Sequence, residues 1–492
     1  MRAADAPLDT DRSRRHVALL VLVAAILAIL PLLSAFPADW IWDDHAVFEH
    51  NPKLRLRHVT GYWTQGEWAW SGIGRPARYN PVTWTLFSVQ GSLFLPPTPG
   101  AFRAVSIALH AVNAALVALL LFRLQRGRDR AVWLAALGGA LVFAWHPAQA
   151  EVALWPSGQS DAHAMLFLLL GAHIVLGGGS RRMVGGTLVL GLSVLCKESY
   201  APMALVLPLG LALLAPWKQL RWAWGTATAV LFLLGVRGVR ALIDIEVPDV
   251  VAGRVNLPKL AGAFTELVRM GLAPSEVSQM RAVPMAPTVT GVLCAVALVG
   301  AVAIGLWRWN RDGGRLLALG GTLFAAGIGL SALAAAAYEL LPDRYLYSGS
   351  VGLAAATVGA VQLVGVGRRR IAGALLAVVL LGCAAITWQQ GVRWVDEVAF
   401  FRWEVDLYPD LPQTNYFLGL TLTDRARPAE ALPWLERAAE RGPQLPQVWG
   451  QLAFTRRELG DRAGALAAAE QGLALQPGEP QMTRLRDELL GL

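Results

Sequence analysis

Apolar runs dominate this chain and leave few folds open to it. About eleven of them approach the length that crosses a bilayer at ~1.5 Å per residue. They cover residues 17–36, 101–122, 131–145, 162–176, 183–195, 200–214, 223–238, 289–306, 316–340, 346–366 and 371–388. An all-α, polytopic membrane protein follows, because a spanning helix satisfies its own backbone polar groups. Of 492 residues, 55% are hydrophobic and 16% charged, which is too apolar for a soluble protein of this length. The run 81–95 is bracketed by Asn80-Pro81 and Pro96-Pro97 and is short for a span, so an interfacial or re-entrant helix is expected there.

Charge placement orders these runs. Arg12, Arg14 and Arg15 precede the first one and no small-residue cleavage pattern follows, so residues 1–16 read as a cytoplasmic terminus rather than a removed signal. The basic loops carrying Arg123–Arg130, Arg181-Arg182, Lys218 and Arg221, Arg308–Arg315, and Arg368–Arg370 then fall on the same side. Segments 37–100 and 241–287 and the tail fall on the other. The net charge of +8 is thereby a topology signal, and no nucleic-acid partner is needed. Cys196, Cys294 and Cys383 lie within or beside apolar runs and supply no disulfide framework or zinc site.

The tail, residues 391–492, is a separate module. Leu418, Gly419, Ala431, Leu432, Ala438 and Pro443 are matched 34 positions later by Leu452, Ala453, Ala465, Leu466, Gly472 and Pro477. This is the period and small-residue pattern of a tetratricopeptide solenoid, here two units and a part. It could offer a peptide-binding groove or only cap the membrane domain of residues 17–390.

Polar residues gather between the runs. Asp43-Asp44 follow the first, flanked by aromatics that hold a loop at the interface; the plainer alternative is two solvated acids. His110 and Asn113 share one face of the second run, where polar groups serve either a site or hydrogen bonds between helices. Then come Arg75-Pro76, His146-Pro147, Glu151, Trp155, Gly158, Asp161, Lys197-Glu198 and Asp343-Arg344-Tyr345-Leu346-Tyr347. Lys197 and Arg344 lie on the side where cations are scarce. That favours an anionic partner such as a phosphate headgroup over simple pairing with Glu198 and Asp343.

Taken in order, these motifs resemble those of the transmembrane and tetratricopeptide-repeat-containing O-mannosyltransferases and their bacterial relatives, which belong to the GT-C glycosyltransferases. The resemblance runs from Val17 to the C-terminus. It implies transfer of a sugar from a polyprenyl-phosphate donor to a protein or other acceptor hydroxyl on the non-cytoplasmic face, with peptide acceptors held in the repeat groove. On this resemblance Asp43 and Asp44 are the base and the acid that orients the acceptor, with Asp44 slightly preferred as base. His146 and Glu151 form the floor of the active site. Lys197 and Arg344 sit near the donor phosphate, with Arg75, His110, Asn113, Asp161, Glu198 and Tyr345 completing the substrate-binding set. One departure is that Gln159-Ser160 stands before Asp161, where eukaryotic members tend to carry Gly-Arg.

The residue types suit the chemistry, since glycosyl transfer needs a base for the acceptor proton and cations for the departing phosphate. Some GT-C enzymes use a divalent metal and others do not; Asp43 and Asp44 could hold one through oxygen, and the residues leave both options open. A lipid-linked glycan ligase or polymerase is a weaker fit, because such enzymes place their principal loop late in the chain. A transporter or a non-catalytic repeat-bearing scaffold is the other alternative, and a transporter should carry charge deep in its spans, where acids are nearly absent here. The short tail suits a bacterial inner membrane.

Overall fold

In the computed structural model the described residues are 11–64, 79–127, 129–214, 225–226, 230, 256–274 and 277–491. They form helices and turns, with no strand among them. Two compact units separate by their internal packing. One comprises residues up to Val277 together with Val283–Val392, and the other Ser278–Ala282 with Arg393–Leu492.

The first unit contains α1 (Asp11–Ile29), α2 (Pro81–Leu93), α3 (Pro99–Leu124), α4 (Arg130–Trp145), α5 (Ala150–Leu154), α6 (Gln159–Leu176), α7 (Ser180–Cys196) and α8 (Ala201–Leu214). It continues with α9 (Leu257–Leu272), α10 (Val289–Trp307), α11 (Asp312–Tyr338), α12 (Ser350–Leu363) and α13 (Arg369–Arg393). Local chemistry sets the starts. Proline opens α2 and α3, where its missing N–H costs nothing. The side chains of Asp129, Asn256 and Thr288 cap α4, α9 and α10.

Among the described residues, six segments are long and apolar enough to cross a membrane: Arg14–Ala35, Pro99–Leu124, Pro156–Leu176, Val289–Trp307, Asp312–Tyr338 and Arg369–Arg393. A seventh exists if α4 and Pro147–Leu154, bent by 58° at His146, count as one. The expectation of eleven is met only to this extent. Among the described residues the runs at 183–195, 200–214 and 346–366 are helical as α7, α8 and α12, with 17, 14 and 14 residues. Glycine bounds α7 at its start: Gly178 and Gly179 adopt positive φ just before it. The run at 223–238 lies almost wholly outside the described residues.

α11 and α12 pack backbone to backbone. A Cβ added at Gly320 would lie 2.6 Å from the carbonyl oxygen of Gly352, and one at Gly352 equally close to that of Gly320. Gly313 and Gly359 meet in the same way, and a Cβ added at Gly327 would lie 2.5 Å from the Gly349 Cα. Backbones in mutual contact need small residues on both sides. This contact fixes the connection Glu339–Gly349, which carries Arg344 and Tyr347.

The second unit consists of α14 (Glu397–Leu407), α15 (Pro412–Asp424), α16 (Pro428–Arg441), α17 (Pro446–Glu458), α18 (Arg462–Leu475) and α19 (Pro480–Leu490). The starts of α15, α17 and α19 are 34 residues apart, as are those of α16 and α18. Buried Leu418, Ala431, Leu435, Ala438, Leu452, Ala453, Ala465 and Ala468 pack between successive helices. Ser278–Ala282 belongs to this unit, where the Ser278 hydroxyl and the Gln279 amide donate to the buried Glu404 carboxylate at 2.6 and 3.0 Å.

Replacing Gly352 with leucine forces side-chain atoms into the α11 backbone and is expected to cost at least about 1–3 kcal/mol. Thermal unfolding of the detergent-solubilised protein would register the loss as a lowered midpoint.

Candidate functional site

The site is built from the loop after α1, the α4–α6 hairpin and the connection between α11 and α12. After a 3-10 turn at Leu30–Ala35 the chain reaches Trp42, whose φ of 58° is the left-handed region that side chains seldom occupy. Such strain, ~1–3 kcal/mol, persists only where neighbours over-determine it. The neighbour is Trp155: the two indoles stack at 5.4 Å and 13°, and Trp155 Nε1 donates to the Ile41 carbonyl at 3.1 Å.

This turn separates the two acids. Asp43 is exposed, whereas Asp44 is fully buried. Asp44 Oδ1 accepts from the Ser157 amide at 2.9 Å and the Ser157 hydroxyl at 2.6 Å, and Oδ2 accepts from the Ile41 amide at 3.3 Å. Burial pushes its carboxyl up to about 7, against the opposing pull of Ser157 and of the Arg103 guanidinium. Arg103, itself buried, donates to the carbonyls of Leu154, Ala35 and Asp39 at 2.9–3.0 Å and so ties α3 to both loops.

Pro147 bars His146 from helical geometry, and the chain bends there. His146 is buried; its Nδ1 accepts the Ala148 amide at 3.3 Å, and the ring faces the carbonyls of Met270 and Gly271. The imidazole therefore serves as a cap at the bend. Past it, Glu151 is fully buried, and Arg344 engages both of its oxygens: the backbone amide donates to Oε2 at 2.6 Å and Nη1 pairs with Oε1. The guanidinium lies 5.2 Å over Trp155 and 5.6 Å over Tyr345. Burial works against its charge, but Glu151 more than offsets this and holds the group above its ordinary value. At the start of α6, buried Asp161 pairs with Lys197, and the Tyr200 hydroxyl donates to the Asp161 carbonyl at 3.0 Å. Asp161 is within electrostatic reach of Arg344, Glu198 and Glu151.

Thus Glu151, Asp161, Lys197, Arg344 and Tyr345 come together, with Asp44 joined to them through Ser157 and Trp155. Both cations are paired, but to acids far away in sequence rather than to Glu198 or Asp343. Glu198 is exposed beside this group. Arg75 lies outside the described residues. His110 and Asn113 lie behind the site and reach it through Tyr347 and the Ala162 carbonyl next to Asp161. His110 Nε2 faces the Ala144 carbonyl at 3.1 Å and its Nδ1 the Tyr347 hydroxyl at 3.0 Å, while Asn113 Nδ2 donates to the Ala162 carbonyl and to Tyr347. These contacts are hydrogen bonds between helices.

Sequence reasoning overlooked Arg103 and Ser157. An arginine inside an apolar run is a visible signal; a serine after Trp155-Pro156 is not. Asp44 spends both oxygens on protein donors, whereas among the described residues His45, Glu49 and His50 have metal-ligating atoms that converge.

The fold and site together define a helical protein with apolar helices long enough to cross a membrane and charge pairs, their carboxylates buried, at helix ends. No family model matches the chain, and no curated protein matches its sequence.

Two measurements test this geometry. Unfolded Asp44 ionises near 3.8 and folded Asp44 near 7, so the folded chain holds the extra proton between those values. Its contribution to stability therefore falls as pH rises through that interval and is flat above it. Asp44→Asn should abolish that slope in thermal midpoints measured across the interval. Glu151→Gln leaves the part-buried Arg344 charge without its carboxylate and is expected to cost up to about 3–5 kcal/mol. The double replacement by leucine should cost less, as judged by denaturation of the same preparations.

Proposed function

We propose that this protein is a membrane glycosyltransferase of the GT-C type that moves a sugar from a polyprenyl-phosphate donor to an acceptor hydroxyl on the non-cytoplasmic face. The observation that carries the reading is the convergence of Arg344 and Lys197 beside the loop that presents Asp43. A guanidinium has five donors and an ammonium three; Glu151 and Asp161 leave most of them for a phosphate.

In the proposed reaction the exposed Asp43 carboxylate takes the proton of the acceptor hydroxyl. The freed oxygen attacks the anomeric carbon, and the bond to the polyprenyl phosphate breaks with its electron pair leaving on the phosphate. Arg344 and Lys197 stabilise that developing charge. Asp44, buried and engaged by Ser157, positions the turn that bears Asp43. The base is therefore assigned to Asp43, in place of the slight preference for Asp44 drawn from the sequence.

The same reading holds eleven spans in a bacterial inner membrane and takes the 34-residue helix period of the second unit as a tetratricopeptide array facing the periplasm. The array then offers a groove for a peptide acceptor.

A second reading, a non-catalytic scaffold, is favoured by one observation: each cation already has a buried carboxylate, so no anion is needed to satisfy it. Turnover of a polyprenyl-phosphate sugar by protein in nanodiscs decides between them. Asp43→Asn is expected to lower transfer by about 10²–10⁴-fold with the thermal midpoint unchanged. Asp44→Asn should instead remove a pH inflection near 7 from the profile. Failure of the wild-type protein to consume any such donor would leave the scaffold.

A further inference from the structure

We propose a binding site for a divalent transition-metal ion, zinc by preference, formed by His45, Glu49 and His50 in the loop after α1. The inference is independent of the transferase reading, and its test does not measure transfer.

The backbone makes the cluster. His45–Glu49 is a π-turn, closed by the His50 amide donating to the His45 carbonyl at 2.8 Å. Turns of this kind are rare and recur at functional sites. Their i→i+5 bond brings residues four and five positions apart round to one face, so His45, Glu49 and His50 point the same way. On the opposite face Val47 and Phe48 are buried, and the Phe48 ring contacts Trp40, Phe87 and Phe102 at centroid distances of 6.1, 4.9 and 4.6 Å. An aromatic core therefore holds the turn that bears the three donors.

The donor geometry is close to what an ion needs. His45 Nδ1 lies 2.5 Å and His50 Nε2 3.5 Å from the same carboxylate oxygen, Glu49 Oε2, and one ligand atom from each residue lies within 4.8 Å of the other two. Tetrahedral zinc with bonds of about 2.0–2.1 Å separates its ligands by roughly 3.4 Å. The His50–Glu49 distance already has this value, and the His45–Glu49 pair need open by only about 1 Å. Two imidazoles and one carboxylate suit zinc and its neighbours rather than magnesium or calcium, which take oxygen ligands. Three protein ligands on an accessible surface leave a fourth position for water, the arrangement of zinc sites that act on substrates. The exposed Asp43 stands two residues before the first ligand.

The test is calorimetric titration of Zn²⁺ into untagged, chelator-stripped full-length protein in nanodiscs. Wild type should bind one equivalent. His50→Ala and Glu49→Gln should weaken that binding at least about tenfold, since even the outer-shell partners of metal ligands are worth that much. His50 is 72% exposed, so its loss should leave the zinc-free thermal midpoint in place. Millimolar Mg²⁺ should not compete. Absence of zinc binding by wild type overturns the proposal. So does equal stoichiometry and affinity in wild type and the His45→Ala/His50→Ala double variant.

Discussion

A carboxylate taken wholly out of water must be matched, and Glu151 is matched twice by one residue. The Arg344 backbone amide and guanidinium take its two oxygens, which joins the bend after α4 to the connection between α11 and α12. Bringing these charges out of water costs several kcal/mol per ion before any attraction is counted. The pair persists because the charges are complementary and Trp155 and Tyr345 cover the guanidinium. Trp155 in turn supports the strained Trp42, and through it the turn that divides Asp43 from Asp44. One desolvated ion pair thus lies beneath three loops.

The polar residues at depth divide into two kinds. His110 and Asn113 each bond the Tyr347 hydroxyl and a nearby carbonyl with neutral hydrogen bonds, which hold α3 against its neighbours. The four charges of Glu151, Asp161, Lys197 and Arg344 are costlier and sit where helices end. A fold that needed only cohesion could have filled those positions with apolar side chains at no loss. That difference in cost is why the charged group, and not the histidine–asparagine pair, is taken as the site.

Much of the helical plan was legible in the sequence, because hydrophobic runs and proline spacing act locally. Pro412, Pro446 and Pro480 open helices at the period seen in the chain. Span lengths were less legible: α12 stops short of its apolar run at both ends, and α7 covers its run with only 17 residues. Individual site residues could be picked out, but not their partners. Arg344 pairs with an acid 193 positions away rather than with adjacent Asp343, and Lys197 with one 36 positions away rather than with Glu198. Neighbours along an extended or turning chain point apart, and only tertiary packing decides which distant acid is within reach. The π-turn at His45 and the left-handed Trp42 were hidden for the same reason, since each is imposed by aromatic contacts from other segments.

The glycine seam between α11 and α12 has a consequence for how such a chain can change over generations. Gly320 and Gly352 meet through backbone, so there is no side chain at the seam that could yield to a larger neighbour. Variation there is all-or-none: any added carbon moves an entire helix, and Arg344 with it. The exposed apolar faces of α10 and α13, with Leu293, Val296, Leu375 and Val379, touch little else in the protein and can drift freely among hydrophobic residues. Descendants of this chain should thus differ most along those outward faces and keep the seam as a fixed ruler from which the position of the arginine is measured.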